Sequence, residues 1–158
     1  MMQKKRKFGK KAPRRLDKPT RRLDPLSPAE RSKRMSLVRG KDTKPELIVR
    51  RMIHAQGYRY RLHVPALPGN PDLVFPARKK VIFVHGCFWH RHTNCAMARI
   101  PKSRNGFWLP KLNGNRDRDL RNRRKLRALG YKILTLWECR LGDRTRLLDS
   151  ILRFLEHA

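Results

Sequence analysis

The segment VIFVHGCFWHRHTNC, residues 81–95, constrains this chain more than any other, because a strand-like apolar run leads directly into a loop crowded with metal-ligating and aromatic side chains. Residues 85–95 hold three histidines, two cysteines and two large aromatic residues. The run VIFVH predicts a short strand of the core. The fold must therefore place this reactive loop at one end of a buried strand.

Capping signals and apolar periodicity predict the other elements. The sequence SPAE at 27–30 begins a helix that runs to about residue 38, and TKPE at 43–46 repeats the device for a helix that ends at Gly57. We expect strands at 58–62, 72–75 and 131–137, a hairpin turn at 76–80, a basic helix from about Asn115 to Leu129, and a final helix whose apolar face carries Leu147, Leu148, Ile151, Leu152 and Leu155. Helices that flank a mixed sheet make this an α/β domain.

Charge divides the chain into an arm and a body. Residues 1–24 hold eleven basic and two acidic residues and almost nothing to bury, which predicts a disordered basic arm. The arm either contacts phosphate loosely or is a solvated tail that aids solubility. With 158 residues in all, the remaining 25–158 are enough for one domain with its own core.

The net charge of +29 points to a polyanionic partner, with nucleic acid ahead of a membrane surface. The sequence has no apolar run long enough to span a bilayer, and its N-terminus lacks the apolar core of a secretory signal. Three cysteines, an odd number, favour a reducing cytosol over a disulfide framework. The basic run at 115–130 is typical of a solvated helix face and makes phosphate contacts at most.

The cysteines predict a zinc site. Cys87, His92 and Cys95 have the spacing C-x4-H-x2-C, and the one other cysteine, Cys139, directly follows the strand at 131–137. One tetrahedral Cys3His site would use all three thiols, and four protein ligands would make it structural. The alternative is that Cys87 and Cys139 are small buried hydrophobes and that His92 lies at the surface.

A second metal site is indicated at Asp72. The Pro71-Asp72 step opens a strand, and with Glu46 on an earlier helix it resembles the PD-(D/E)XK nuclease pattern, in which the strand carboxylate binds Mg2+ beside the scissile phosphate. No Asp or Glu occurs from residue 73 to residue 116, so the next strand cannot supply the second carboxylate. A backbone carbonyl near Val84 and the nearby histidines would have to complete the site, and imidazole can also take a proton from an attacking water.

Four segments in the same order resemble the very-short-patch repair (Vsr) DNA mismatch endonucleases. They are PGNPD at 68–72, VIFVHGCFWHRH at 81–92, FWL at 107–109 and WEC at 137–139. The match extends from about Ser32 to Leu155 and leaves out the basic arm. This chain carries one residue more than the family pattern before Cys95.

The resemblance implies a three-layer restriction-endonuclease-like fold with a structural zinc site. It also implies a Mg2+-dependent nick just 5′ of the mispaired thymine in a T:G mismatch created by deamination of 5-methylcytosine. By position, Asp72 and the Val84 carbonyl bind Mg2+, His90 is the general base and His85 supports it. Glu46 would hold a metal-bound water; the alternative is that it does no more than cap its helix. The implied zinc ligands are Cys87, His92, Cys95 and Cys139.

Four residues are candidates for DNA intercalation. Stacking rings into DNA opens a base step at a cost of a few kcal/mol, and this cost is lower where the pair is already mismatched. The resemblance implies that Phe88, Trp89 and Trp108 enter beside the mismatch and that Met35 enters from the other groove. Alternatively, Phe88 and Trp108 are ordinary core residues and Met35 fills a core gap.

The expected protein is a monomeric enzyme of the bacterial cytoplasm, associated with the nucleoid. Its expected partners are double-stranded DNA with a T:G mismatch and mismatch-repair proteins, with no membrane partner. Two other functions stay open: a restriction-type nuclease of the same fold, and a non-catalytic, zinc-stabilised protein that coats nucleic acid. The second would leave Asp72, His85 and His90 without a role.

Overall fold

The computed structural model describes residues 26–157, so the expected arm at 1–24 lies outside the described residues. The helices and strands in this part of the chain are α1 (Pro28–Ser36), α2 (Lys44–Ala55), β1 (Leu73–Phe75), β2 (Lys80–His85), α3 (Asn105–Ala128), β3 (Lys132–Trp137) and α4 (Arg144–Glu156). Short 3-10 turns occur at Pro76–Arg78, Ala96–Ala98 and Glu138–Arg140. Within residues 26–157, no helix is long and apolar enough to cross a bilayer.

Both helix starts lie where the sequence predicts them. The Ser27 hydroxyl accepts from the Glu30 N–H, and the Glu30 carboxylate accepts from the Ser27 N–H, which forms a complete capping box. The Thr43 hydroxyl accepts from the Glu46 N–H at the start of α2. Gly57 has φ +83 just beyond the end of α2, a left-handed conformation that favours glycine.

The three strands form a small mixed sheet in the order β1-β2-β3. β1 and β2 are antiparallel, with Leu73 opposite Ile82, and the turn between them confirms the predicted hairpin. β2 and β3 are parallel, from Lys80 opposite Lys132 to His85 opposite Trp137. A parallel pair needs a long crossover, and α3 provides it.

Helices pack on both faces of the sheet, and all six residues of β2 are therefore buried. Its alternate residues Ile82 and Val84 join the cluster of α2 and α4, which contains Val49, Ile53, Leu147, Ile151 and Leu155. Val81 and Phe83 pack with Leu126 of α3 on the other face. The predicted α/β architecture, with a mixed sheet flanked by helices, is therefore confirmed.

The expected strand at 58–62 is wrong. Of these residues, Arg61 alone pairs, in an isolated bridge with Val74. β1 has three residues, so it can pair with few residues of a neighbouring strand. The Tyr60 side chain reaches α2, where its hydroxyl donates to the Arg50 carbonyl. His63 has φ +44, which lies outside the extended region. The alternation of the segment reflects side chains that pack against α2 and β1, and not a strand.

The basic helix begins ten residues earlier than expected, at Asn105 and not near Asn115. Pro110 lies inside it, where the ring removes the hydrogen bond that residue 110 would donate to the Gly106 carbonyl. The first turn is anchored by tertiary packing, since the Trp108 ring contacts Phe88 in edge-to-face geometry. Trp108, which lies before the expected start of the basic helix, is therefore part of α3.

Candidate active site

An open groove of about 1360 Å³ is lined by the end of α1, the start of α2, the end of β2 and one side of α3. The predicted site residues that line it are Met35, Glu46, Asp72, Val84, His85, Trp89 and His90. These segments come together because the parallel pairing of β2 and β3 carries α3 across the sheet. The groove gathers most of the predicted chemistry on one surface.

Asp72 lies at the floor of this groove, one residue before β1. Its Oδ2 accepts the Val84 N–H at 2.7 Å. Burial raises the pKa of Asp72 to about 6 against the opposing effect of that hydrogen bond, and the charge of Glu46 adds to the rise. The carboxylate is therefore held in place but is poorly solvated.

The backbone of Val84 presents an oxygen to the same place. In an extended strand, the N–H and the C=O of one residue point to the same side. Since the Val84 N–H points at Asp72, the Val84 carbonyl faces the Asp72 edge of β2. A carboxylate and a carbonyl oxygen are both hard donors, the class that Mg2+ prefers.

The loop that carries Asp72 packs closely on α3. Gly69 has φ +80, and a Cβ at this position would lie 2.8 Å from Nδ2 of Asn122. A side chain here would both strain the backbone and displace Asn122, so the glycine lets the loop approach α3. The buried Pro71 then leads the chain directly into Asp72.

His85 and His90 stack face to face, with ring centroids 3.7 Å apart. His90 Nδ1 lies 2.6 Å from Oδ2 of Asp119, so Nδ1 donates to the carboxylate, and in the neutral ring Nε2 then carries the lone pair. Burial, followed by the charge of His90, lowers the pKa of His85 to about 3, so His85 is neutral at physiological pH. The pair thus combines His90, whose ring Asp119 orients, with His85, which is uncharged.

Asp119 contacts His90 in the groove, and the sequence analysis did not single it out. It lies on α3 within the basic run that was interpreted as a solvated face. The one signal for it was an acidic residue placed among many arginines, a pattern that solvated ion pairs produce equally well. Its role becomes visible because the fold brings α3 to the end of β2.

Glu46 is nearly fully buried within a polar network. Its Oε2 accepts from the Asp42 N–H at 3.0 Å and from Arg50 Nη2 at 2.7 Å, and its Oε1 accepts from the Thr43 hydroxyl at 2.8 Å. Arg50 also contacts the Asp42 carboxylate and lies 2.9 Å from His63 Nε2. Glu46 therefore fixes the start of α2 and also places a negative charge near Asp72.

The four predicted zinc ligands meet outside the groove. The Sγ atoms of Cys87, Cys95 and Cys139 and a ring nitrogen of His92 all lie within 4.8 Å of one another. His92 Nδ1 is 3.5 Å from Cys87 Sγ and 3.4 Å from Cys139 Sγ. The His92 ring also stacks on Trp137 with centroids 4.0 Å apart. The residues after β2 and after β3 thus converge, and zinc binding by them stays a prediction.

The predicted DNA-stacking aromatics form one cluster beside the groove. Phe88 contacts Trp89 and Trp108 with ring centroids 5.1 and 5.2 Å apart, both in edge-to-face geometry. Trp89 lines the groove, as does Met35 on α1, whereas Phe88 and Trp108 lie behind Trp89. All four side chains are partly exposed, so none of them is a fully buried core residue, and their contact with DNA stays a prediction.

Known proteins resemble the chain over most of this region. A family model described as "DNA mismatch endonuclease Vsr" matches residues 23–97. The "Type II nicking enzyme V.XorIIP" of Xanthomonas oryzae pv. oryzae is 50% identical over 120 residues, which cover 76% of this chain and 88% of the relative. The "DNA mismatch endonuclease Vsr" of Escherichia coli is 40% identical over 124 residues, which cover 78% of this chain and 79% of the relative.

Proposed function

The chain belongs to the Vsr family of DNA mismatch endonucleases, and from this premise we propose that it nicks one strand of duplex DNA just 5′ of the mispaired thymine in a T:G mismatch, in a Mg2+-dependent reaction. The substrate would arise when 5-methylcytosine deaminates opposite guanine. The observation that carries the proposal is the meeting, in one groove, of the Asp72 carboxylate with the His85–His90–Asp119 group. The proposed fold is the three-layer restriction-endonuclease-like one.

The oxygen donors at Asp72 fit Mg2+. Asp72 Oδ2 is engaged by the Val84 N–H, and within residues 26–157 no hydrogen bond involves Oδ1, which leaves it open to a cation. The Val84 carbonyl faces the same edge of the strand. Mg2+ usually takes one or two protein oxygens and completes its octahedron with water and phosphate oxygens. When bound, it would neutralise charge on the scissile phosphate and make a water more acidic.

His90 is the proposed general base. Its Nδ1 is committed to Asp119, so Nε2 accepts the proton of the attacking water. As the water oxygen bonds to phosphorus, the bond from phosphorus to the leaving ribose oxygen breaks, and that oxygen takes a proton from solvent. His85 stacks on His90 and supports its orientation. Glu46 would accept a hydrogen bond from a water beside the metal.

The four-residue cluster at Cys87, His92, Cys95 and Cys139 is proposed as a structural zinc site. Tetrahedral coordination with bonds of about 2.1 Å to nitrogen and 2.3 Å to sulfur places an S and an N ligand about 3.6 Å apart. The two N–S separations of 3.4 and 3.5 Å fit that requirement. Burial raises the pKa of metal-free Cys87 to about 12, so zinc binding would release its proton.

Mismatch preference is proposed to come from the aromatic cluster and Met35. Trp89 and Met35 line the same groove, and Phe88 and Trp108 support the Trp89 ring from behind. A mismatched step costs less to unstack than a matched one, so insertion of these side chains favours T:G over T:A. The proposed partners are duplex DNA with this mismatch and mismatch-repair proteins, the proposed site of action is the nucleoid, and the enzyme would act as a monomer.

The proposal is tested by single-turnover nicking of T:G and T:A duplexes, with and without Mg2+. We expect cleavage of the T:G duplex alone, on the thymine strand, and a loss of cleavage in His90→Ala at unchanged duplex affinity. The matched control is His54→Ala, an exposed histidine on α2 outside the groove. Equal cleavage of the two duplexes would favour a restriction-type nuclease, and cleavage that persists in His90→Ala would remove the assigned base.

A further inference from the structure

Arg123 differs from the other cationic side chains of the groove. The lysines and arginines that line it are Arg39, Lys41, Lys44, Lys111, Arg118 and Arg123. All of them are exposed except Arg123, which is half-buried. A guanidinium that has lost part of its hydration needs an anion more than an exposed one does.

Arg123 is placed by α3 next to the reactive histidines. It follows Asp119 by four residues, so the two side chains lie on the same face of the helix, one turn apart. It lines the same groove as His85 and His90. Within residues 26–157, Arg123 makes no hydrogen bond and no ion pair, since Asp119 is bonded to His90.

The other cations of the groove are either engaged or belong to its opposite side. Lys111 lies over the rings of Trp89 and Phe107, with Nζ 5.8 and 5.4 Å from their centroids, and Arg118 donates to Asn115. Arg39, Lys41 and Lys44 line the groove from the segment between α1 and α2 and from the start of α2. Among the described cations that α3 contributes to the groove, Arg123 is therefore the one without a partner.

We propose that Arg123 binds a non-bridging oxygen of the scissile phosphate and stabilises the negative charge that gathers there as water attacks phosphorus. This inference rests on the proposed function and adds a residue to the same site. A planar guanidinium can donate two parallel hydrogen bonds to one phosphate, which fixes its orientation as well as its charge. Such preorganised donors act mainly in the transition state.

The test compares Arg123→Gln with Arg51→Gln, a matched loss of charge at an exposed position of α2 outside the groove. We expect Arg123→Gln to lower the single-turnover rate on saturated T:G duplex by about 10²-fold, whereas Arg51→Gln leaves it unchanged. Arg123→Lys should recover part of the rate, because lysine restores the positive charge but not the two parallel hydrogen bonds of the guanidinium. Equal rates for the two Gln variants would overturn the proposal.

A binding measurement locates the contact independently of turnover. In an Asp72→Asn background, a neutral methylphosphonate at the scissile position should weaken binding when Arg123 is present and have little effect after Arg123→Gln. The same penalty with and without Arg123 would place the guanidinium elsewhere. If the wild-type protein does not nick T:G duplex, the proposed function fails. If it nicks while Arg123→Gln behaves as Arg51→Gln does, this inference alone fails.

Discussion

Asp72→Asn should make the metal-free protein more stable while it abolishes nicking. Burial is the main cause that raises the pKa of Asp72 from 3.8 to about 6. At 1.36 kcal/mol per pH unit, the ionised carboxylate costs the fold about 3 kcal/mol above pH 6. Asn resembles the protonated acid in shape and charge, and its amide oxygen can still accept the Val84 N–H. Because most substitutions destabilise, a gain of this size is diagnostic.

The sign of the pH dependence follows from the raised pKa. Between about pH 4 and 6, folded Asp72 binds more protons than unfolded Asp72, so the free energy of unfolding of the wild type falls as the pH rises through this window. The Asn side chain does not titrate. The stability difference between the two proteins should therefore be small near pH 4 and reach its full value above about pH 6.

Urea unfolding in Mg2+-free buffer at several pH values measures this difference. The control is Asp117→Asn, an exposed acid on α3, which should change stability by no more than about 0.5 kcal/mol. Added Mg2+ should stabilise the wild type and leave Asp72→Asn unchanged, since the variant lacks the charged ligand. An Asp72→Asn protein that is no more stable at pH 8, or that is equally stabilised at pH 4 and pH 8, would refute this reasoning.

Four further predictions concern the zinc site, Asp119, Trp89 and the basic arm. Purified protein should hold about one zinc per chain by elemental analysis, and Cys139→Ser should lose the ion and unfold at lower urea, whereas active zinc-free wild type would contradict the site. Asp119→Asn should lower the single-turnover rate by roughly 10²-fold or more at unchanged affinity, because His90 loses the partner that fixes its tautomer. An unchanged rate would show that Asp119 does not orient the base. Trp89→Ala should reduce the ratio of T:G to T:A cleavage, because it removes the ring that stacks into an easily opened base step, and a constant ratio would argue against intercalation. Deletion of residues 1–24 should flatten the slope of log affinity against log salt through reduced counterion release, and an identical slope would show that the arm does not contact DNA.

The sequence predicted those parts of the candidate site that can be recognised from short segments of the chain. Asp72 was visible because a Pro-Asp step opens a strand, and the cluster from Cys87 to Cys139 because thiol and imidazole groups flank two strands. The geometry agrees with both, since the four cluster ligands converge and the Val84 N–H meets Asp72. Capping residues likewise gave the starts of α1 and α2.

What the sequence could not show depends on tertiary packing. Asp119 and Arg123 belong to a helix that resembles any solvated basic helix until its position against β2 is known. The early start of α3 depends on contacts of Trp108 that outweigh the penalty of Pro110. The segment at 58–62 alternates as a strand would, but its short neighbour β1 offers a single pairing.

The helix that carries Met35 buries none of its nine residues. Helices of this length are marginal in isolation, and the capping box adds about 1 kcal/mol to α1. Its local free energy of opening is therefore far below that of the core, and a protease should cut α1 long before the rest of the domain unfolds. If α1 contacts a duplex through Met35 as proposed, the entropy lost on ordering it would lower the affinity for every DNA sequence alike and would shorten residence on matched DNA.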